Sequence, residues 1–112
     1  MKNEVFIKEF NKIAKAVNDI AKEKGWWNGD RNDGELIALM HSELSECLEG
    51  MRHNNPQSDH ILNFTIVEEE LADVIIRIMD FAAQRKYKVA EALMEKINFN
   101  KSREYKHGGK KF

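Results

Sequence analysis

The sequence predicts an all-α domain, a four-helix bundle completed by oligomerisation. Three observations lead there. Apolar residues recur at helical spacing in four separate segments. Six Gly and one Pro in 112 residues are too few for the closely spaced turns of an all-β chain. The breaks that do occur, Gly25 to Gly34, Asn54-Asn55-Pro56 and Gly108-Gly109, cut the chain into long periodic stretches. The length suits a single domain, residues 1–112, with a flexible basic tail over about 104–112. A hydrophobic fraction of 42% beside 33% charged residues supports a packed core and excludes a disordered chain.

The first helix is expected from Asn3, a plausible N-cap, to about Lys24. Phe6, Phe10, Ile13, Val17 and Ile20 form its stripe. The second runs from about Gly34 to His53 after an Asp33 cap, with Ile37, Met40, Leu44, Cys47/Leu48 and Met51 inward. The third runs from about Thr65 to Lys86. Thr65-Ile66-Val67-Glu68 has capping-box form, and Val67, Leu71, Val74, Ile78 and Phe81 make its stripe. The fourth starts near Val89, turns Leu93 and Ile97 inward, and reaches at least Asn100. The third helix carries a second apolar line, Ala72, Ile76, Met79 and Ala83, on another side. A helix apolar nearly all round needs cover on both sides. Either helices 2 and 4 of the same chain supply it, or a second copy does; a homodimer or homotetramer is the expectation.

Several function classes fall away. No apolar run approaches the length of a membrane span, and the N-terminus has no signal-peptide core, so a cytoplasmic protein away from membranes is expected. The lone Cys47 cannot form an internal disulfide, which fits a reducing compartment. Net charge is −1, but its sign is segregated. Residues 35–80 hold ten acids and two bases, and residues 96–112 hold six bases and one acid. The acidic middle would repel nucleic acid, so no stable nucleic-acid binding is expected. A cation site with an anion gripped beside it fits the segregation better.

The acids fall into two pairs. Glu43 and Glu46 are three residues apart on helix 2, as are Glu70 and Asp73 on helix 3. Residues so spaced share a helix face. Leu36 and Leu39 lie on the side of the first pair, and Glu70, Asp73, Arg77 and Asp80 form a stripe beside the apolar one. Both pairs therefore border buried surface. Carboxylates crowded at a helix seam repel one another and lose hydration. A divalent cation relieves both penalties, and Mg²⁺ takes oxygen ligands alongside substrate phosphates. A di-iron bundle would bring Glu-x-x-His pairs, whereas the residues three after Glu43 and Glu70 are Glu46 and Asp73. Mg²⁺, or Mn²⁺, is therefore preferred to iron. Any of the four carboxylates not fully engaged by metal could accept a proton; Glu46, which points furthest from its own core stripe, is the first guess.

On helix 4, Lys96, Asn100 and Arg103 share a face, followed by Tyr105-Lys106-His107-Gly108-Gly109-Lys110-Lys111. Arg and Lys there are suited to phosphate. Trp26 and Trp27 lie in a glycine-flanked loop. One can plug the bundle end while the other stacks on a flat ligand.

Glu43-x-x-Glu46, a gap of 23 residues, then Glu70-x-x-Asp73 resembles the E-x-x-E … E-x-x-D signature of MazG-like nucleotide pyrophosphohydrolases, the all-α NTP pyrophosphatase superfamily. Gly25-Trp26-Trp27, His41 to Glu46, Glu69 to Arg77, and Lys96-x-x-x-Asn100-x-x-Arg103 followed by Lys106 to Lys110 resemble its small single-domain members. The resemblance runs from about residue 25 to the end. It implies Mg²⁺-dependent cleavage of a ribo- or deoxyribonucleoside triphosphate to the monophosphate and pyrophosphate, in nucleotide-pool control or house-cleaning. It implies that Glu43, Glu46, Glu70 and Asp73 hold metal and carry catalysis. Lys96 and Asn100 would meet the substrate's phosphate or sugar, with Arg103 and Lys110 assisting near the phosphates. The family's dimers or tetramers agree with the doubly apolar third helix. The alternative is a non-catalytic helical module that retains the fold and binds a nucleotide or a protein.

Overall fold

A computed structural model describes residues 3–103. The tail expected over about 104–112, Lys110 included, lies outside the described residues. Four helices are present: α1 (Asn3–Glu23), α2 (Asp33–Arg52), α3 (Ile66–Arg85) and α4 (Val89–Lys101). The described residues contain no strand. A single antiparallel bridge between Gln57 and Thr65 pinches the loop before α3. None of the described helices is long and apolar enough to cross a membrane.

Local chemistry sets the ends. The Thr65 hydroxyl accepts from the Glu68 amide, and the Glu68 carboxylate accepts from the Thr65 amide, so the expected capping box is formed. Helix α2 is capped one residue earlier than expected. Asn32, not Asp33, accepts from the Glu35 amide at 3.1 Å. After α2 the chain turns through Asn54 and Asn55 at φ of +65° and +49°, a region that asparagine tolerates. The Asn55 amide donates to the Gly50 carbonyl at 2.7 Å, and its side-chain oxygen accepts from the Val67 amide at 3.0 Å. The end of α2 is thereby tied to the start of α3. Gly50 sits at the crossing, where a Cβ would stand 2.7 Å from Ile66 Cγ2.

Helix α3 is central, as expected, but its neighbours are α2 and α1; α4 packs on α1. The faces turned inward also differ from the expected stripes. On α2 the buried positions are Leu36, Cys47 and Gly50, and Glu43 falls on the same line. The expected Ile37, Leu44, Leu48 and Met51 are exposed. On α1, Ala14 and Asn18 are buried while Ile13 and Ile20 face out, and on α3 Leu71 faces out. Small residues permit the close approach of the helices, and the bulkier neighbouring line is left for other cover. Buried hydrophobic residues are correspondingly few: Ala14, Leu36, Cys47, Ala82, Ala90 and Met94. The radius of gyration is 16.6 Å, against about 13 Å for a compact chain of this length.

Candidate metal centre

The polar line of α3 is sandwiched between α2 and α1, and each neighbour engages part of it. From α2, Glu43 reaches across. Carboxylate oxygens of Glu43, Glu70 and Asp73 lie within 4.8 Å of one another. All three residues are half-buried. Arg77 Nε and Nη2 donate to Glu43 Oε1 at 3.1 and 3.0 Å, offsetting part of the negative charge. Glu70 Oε2 is buried with no hydrogen-bond partner among the described residues.

The electrostatics follow from this crowding. Burial, reinforced by the adjacent Glu43 carboxylate and then by Asp73 and Glu69, pushes the Glu70 carboxyl up to about 7. Burial, then the charges of Glu43 and Glu69, also raises Asp73, with Arg77 and His60 opposing. The donor set is oxygen-only and crowded with carboxylates, relieved in part by Arg77 and by the proton that Glu70 retains up to about pH 7. An orphaned carboxylate oxygen among three convergent ligands fits a hard divalent ion such as Mg²⁺ or Mn²⁺. Glu46 is exposed on α2, one turn beyond Glu43, and lies outside this trio.

The loop before α3 buttresses the centre. Ser58 is only 1% exposed. Its hydroxyl donates to Glu69 Oε1 at 2.6 Å and accepts from the amides of His60 and Ile61. His60 Nδ1 lies 2.7 Å from Glu69 Oε2. The Ser58 hydrogen bond, with His60 adding to it, holds Glu69 below the usual carboxylate range, and the Glu69 hydrogen bond raises His60. With its hydroxyl so engaged, Ser58 is a brace and not a nucleophile.

A cavity of about 460 Å³ opens beside the trio. Glu43, Asp73 and Arg77 border one part of it; Trp26, Arg31 and Asp80 also line it, with apolar surface from Val17, Ile20 and Ile76. The tryptophans divide their tasks. Trp27 is half-buried and donates from Nε1 to Asp80 Oδ1 at 2.9 Å. Trp26 is 54% exposed on the cavity. The Arg31 guanidinium lies 5.9 Å from the Trp26 ring centre and 5.4 Å from that of Trp27. Arg85 completes the loop's anchorage by pairing with Asp33 at 2.8 Å.

The basic face of α4 is elsewhere. Lys96 lines a separate hollow with Ala92, Glu95 and Phe99, and its Nζ sits 4.5 Å from the Phe99 ring centre. Asn100 and Arg103 lie further along α4 and its end, and neither borders the acidic cavity. His41 is exposed on α2.

Sequence reasoning did not find Asn18, Ser58 or His60. Asn18 lies one residue from the expected apolar stripe of α1, and only the rotation of that helix buries it. Ser58 carries a local sign, a hydroxyl two and three residues before the amides it caps. The His60–Glu69 contact depends on the loop fold and leaves no spacing signal. No protein-family model, curated protein or solved structure matches the chain.

Proposed function

We propose that this chain is a Mg²⁺-dependent nucleoside triphosphate pyrophosphohydrolase of the MazG-like kind. The observation that carries the reading is the convergence of Glu43, Glu70 and Asp73 around an orphaned carboxylate oxygen, at the edge of a cavity large enough for a nucleotide. Glu43, Glu70 and Asp73 hold the ion. When bound, a divalent cation neutralises phosphate charge and acidifies water. Arg77 bridges the trio and the cavity, so its guanidinium can pass from Glu43 to a phosphate oxygen as ligand enters. In this reading Glu46, exposed one turn from Glu43 and outside both the trio and the cavity lining, takes a proton from the attacking water. Trp26 supplies a flat surface for the base.

The phosphate grips expected on Lys96, Asn100 and Arg103 do not border the cavity of their own chain. A second copy supplies them in this reading, which makes the active form a dimer or tetramer. The exposed apolar line of α2 (Ile37, Leu44, Leu48, Met51) is the surface available for that association.

One observation favours the non-catalytic alternative. The Arg77–Glu43 pair satisfies part of the acidic site without metal. A pyrophosphate-release screen over all ribo- and deoxyribonucleoside triphosphates with Mg²⁺ separates the two. Turnover of at least one substrate, abolished by EDTA, is expected. Nucleotide binding without pyrophosphate release would establish the non-catalytic module instead.

A further inference from the structure

Asp80 takes no part in the acidic trio, yet it is held from two directions. Asn18 on α1, only 4% exposed, donates from Nδ2 to Asp80 Oδ1 at 2.8 Å and to Gln84 Oε1 at 3.1 Å. Trp27 Nε1 donates to the same Asp80 oxygen at 2.9 Å. These two donors from different elements hold one Asp80 oxygen in place. Asp80 lines the cavity together with Trp26, Ile20 and Ile76. Apolar walls and an exposed indole suit a planar ring. The carboxylate oxygen of an aspartate beside them is a hydrogen-bond acceptor.

We propose that Asp80 selects the nucleotide base. Its Oδ2 accepts a hydrogen bond from the exocyclic amine of cytosine or adenine while the ring rests against Trp26. Uracil and hypoxanthine carry a carbonyl oxygen where those bases carry the amine, and oxygen facing carboxylate is repelled. Asn18 and Trp27 are positioning residues, since they fix the other Asp80 oxygen and do not touch the base. The proposal rests on the nucleotide reading above and adds the substrate class to it.

Matched pairs test it: dCTP against dUTP, and dATP against dITP, compared by kcat/KM in the wild type and in Asp80→Asn. The substitution keeps one acceptor for Asn18 and Trp27 and turns the ligand-facing oxygen into an NH₂ donor. The wild type should prefer the amino member of at least one pair by about 10- to 100-fold. Asp80→Asn should lower that ratio at least about tenfold, partly by improving the carbonyl member. Trp27→Phe, which removes one of the two donors, should lower the ratio less; it decides the matter if Asp80→Asn does not fold. Binding of the matching monophosphates in EDTA, followed by tryptophan fluorescence, is read in parallel. Triphosphate hydrolysis without amino preference, or a ratio unchanged in both variants, would overturn the base assignment and leave the hydrolase reading intact. Amino-selective monophosphate binding without pyrophosphate release would do the reverse. No binding of any nucleotide would remove both.

Discussion

Glu70 is where protonation and metal compete most directly. Its carboxyl is raised to about 7 by burial and by Glu43. An unfolded chain releases that proton near the ordinary glutamate value, so between about pH 4.5 and 7 the folded chain holds more protons. Stability from this group is therefore complete in acid and is lost as pH rises through about 7. The raised Asp73 and His60 act in the same direction. The metal-free Tm should fall from pH 5 to 8, and Glu70→Gln should flatten part of that fall. Mg²⁺ should raise Tm more at pH 8 than at pH 5.5, because binding requires the carboxylates ionised. An equal Mg²⁺ shift at both pH values would count against these ligands. Asp73→Asn should leave Tm level or higher, since it removes a repelled charge, while lowering kcat at least about 100-fold by loss of the metal's contribution. The acids of this site were legible in the sequence because i, i+3 spacing survives any rotation of the helix. Which three converge was not legible, because that depends on how far α2 turns towards α3.

The helices themselves were readable almost to their ends, because caps and periodicity are local. Thr65→Ala removes the hydroxyl half of a formed capping box and should cost about 1 kcal/mol in urea unfolding. The rotation of α2 is a tertiary property. Gly50, Ile66 and the Asn55 hydrogen bonds fix it; the glycine and the asparagine carry no hydrophobic signal, and Ile66 lies outside the apolar stripe read for α3. Glu43 faces the seam as a consequence, with Leu36 and Cys47 on its line, and the stripe with the larger residues faces out. Gly50→Ala tests the crossing. Helix propensity favours the alanine by about 1 kcal/mol. The new methyl meets the branched Ile66 side chain at 2.7 Å, and overpacking costs about 1–3 kcal/mol. Overpacking should win, with net destabilisation of about 1 kcal/mol and weaker Mg²⁺ binding, as Glu43 is pushed from Glu70. A stabilised variant with unchanged Mg²⁺ affinity would mean that the two helices part here without cost.

At the scale of the whole molecule the shortage is of cover. Among the described residues six hydrophobic side chains are buried, while Leu44, Leu48, Met51, Leu71 and Ile75 are among the large side chains left exposed on α2 and α3. Apolar surface of this kind on a folded chain ordinarily marks an interface. The accessible surface of 8890 Å² compares with about 6,400 Å² for a compact monomer of this mass. The excess, about 2,500 Å² per chain, exceeds the roughly 800 Å² per partner of a standard interface and falls in the range of an obligate homodimer, about 2,000–5,000 Å² over both chains. Leu48, 50% exposed, lies within the exposed α2 line. Leu48→Glu should therefore weaken self-association at least about 100-fold, because a charge enters the apolar contact once from each copy. Light scattering after size exclusion should find the wild type as a dimer or tetramer and the variant as a monomer at the same concentration. Activity should fall with assembly, since Lys96, Asn100 and Arg103 do not reach the cavity of their own chain. Mixing Leu48→Glu with wild type in excess should then restore activity, by supplying α4 from an intact neighbour. A wild type that is monomeric and fully active at nanomolar concentration would return the exposed α2 line to some other partner. Among the described residues, the phosphate charge would then fall to Arg31 and Arg77.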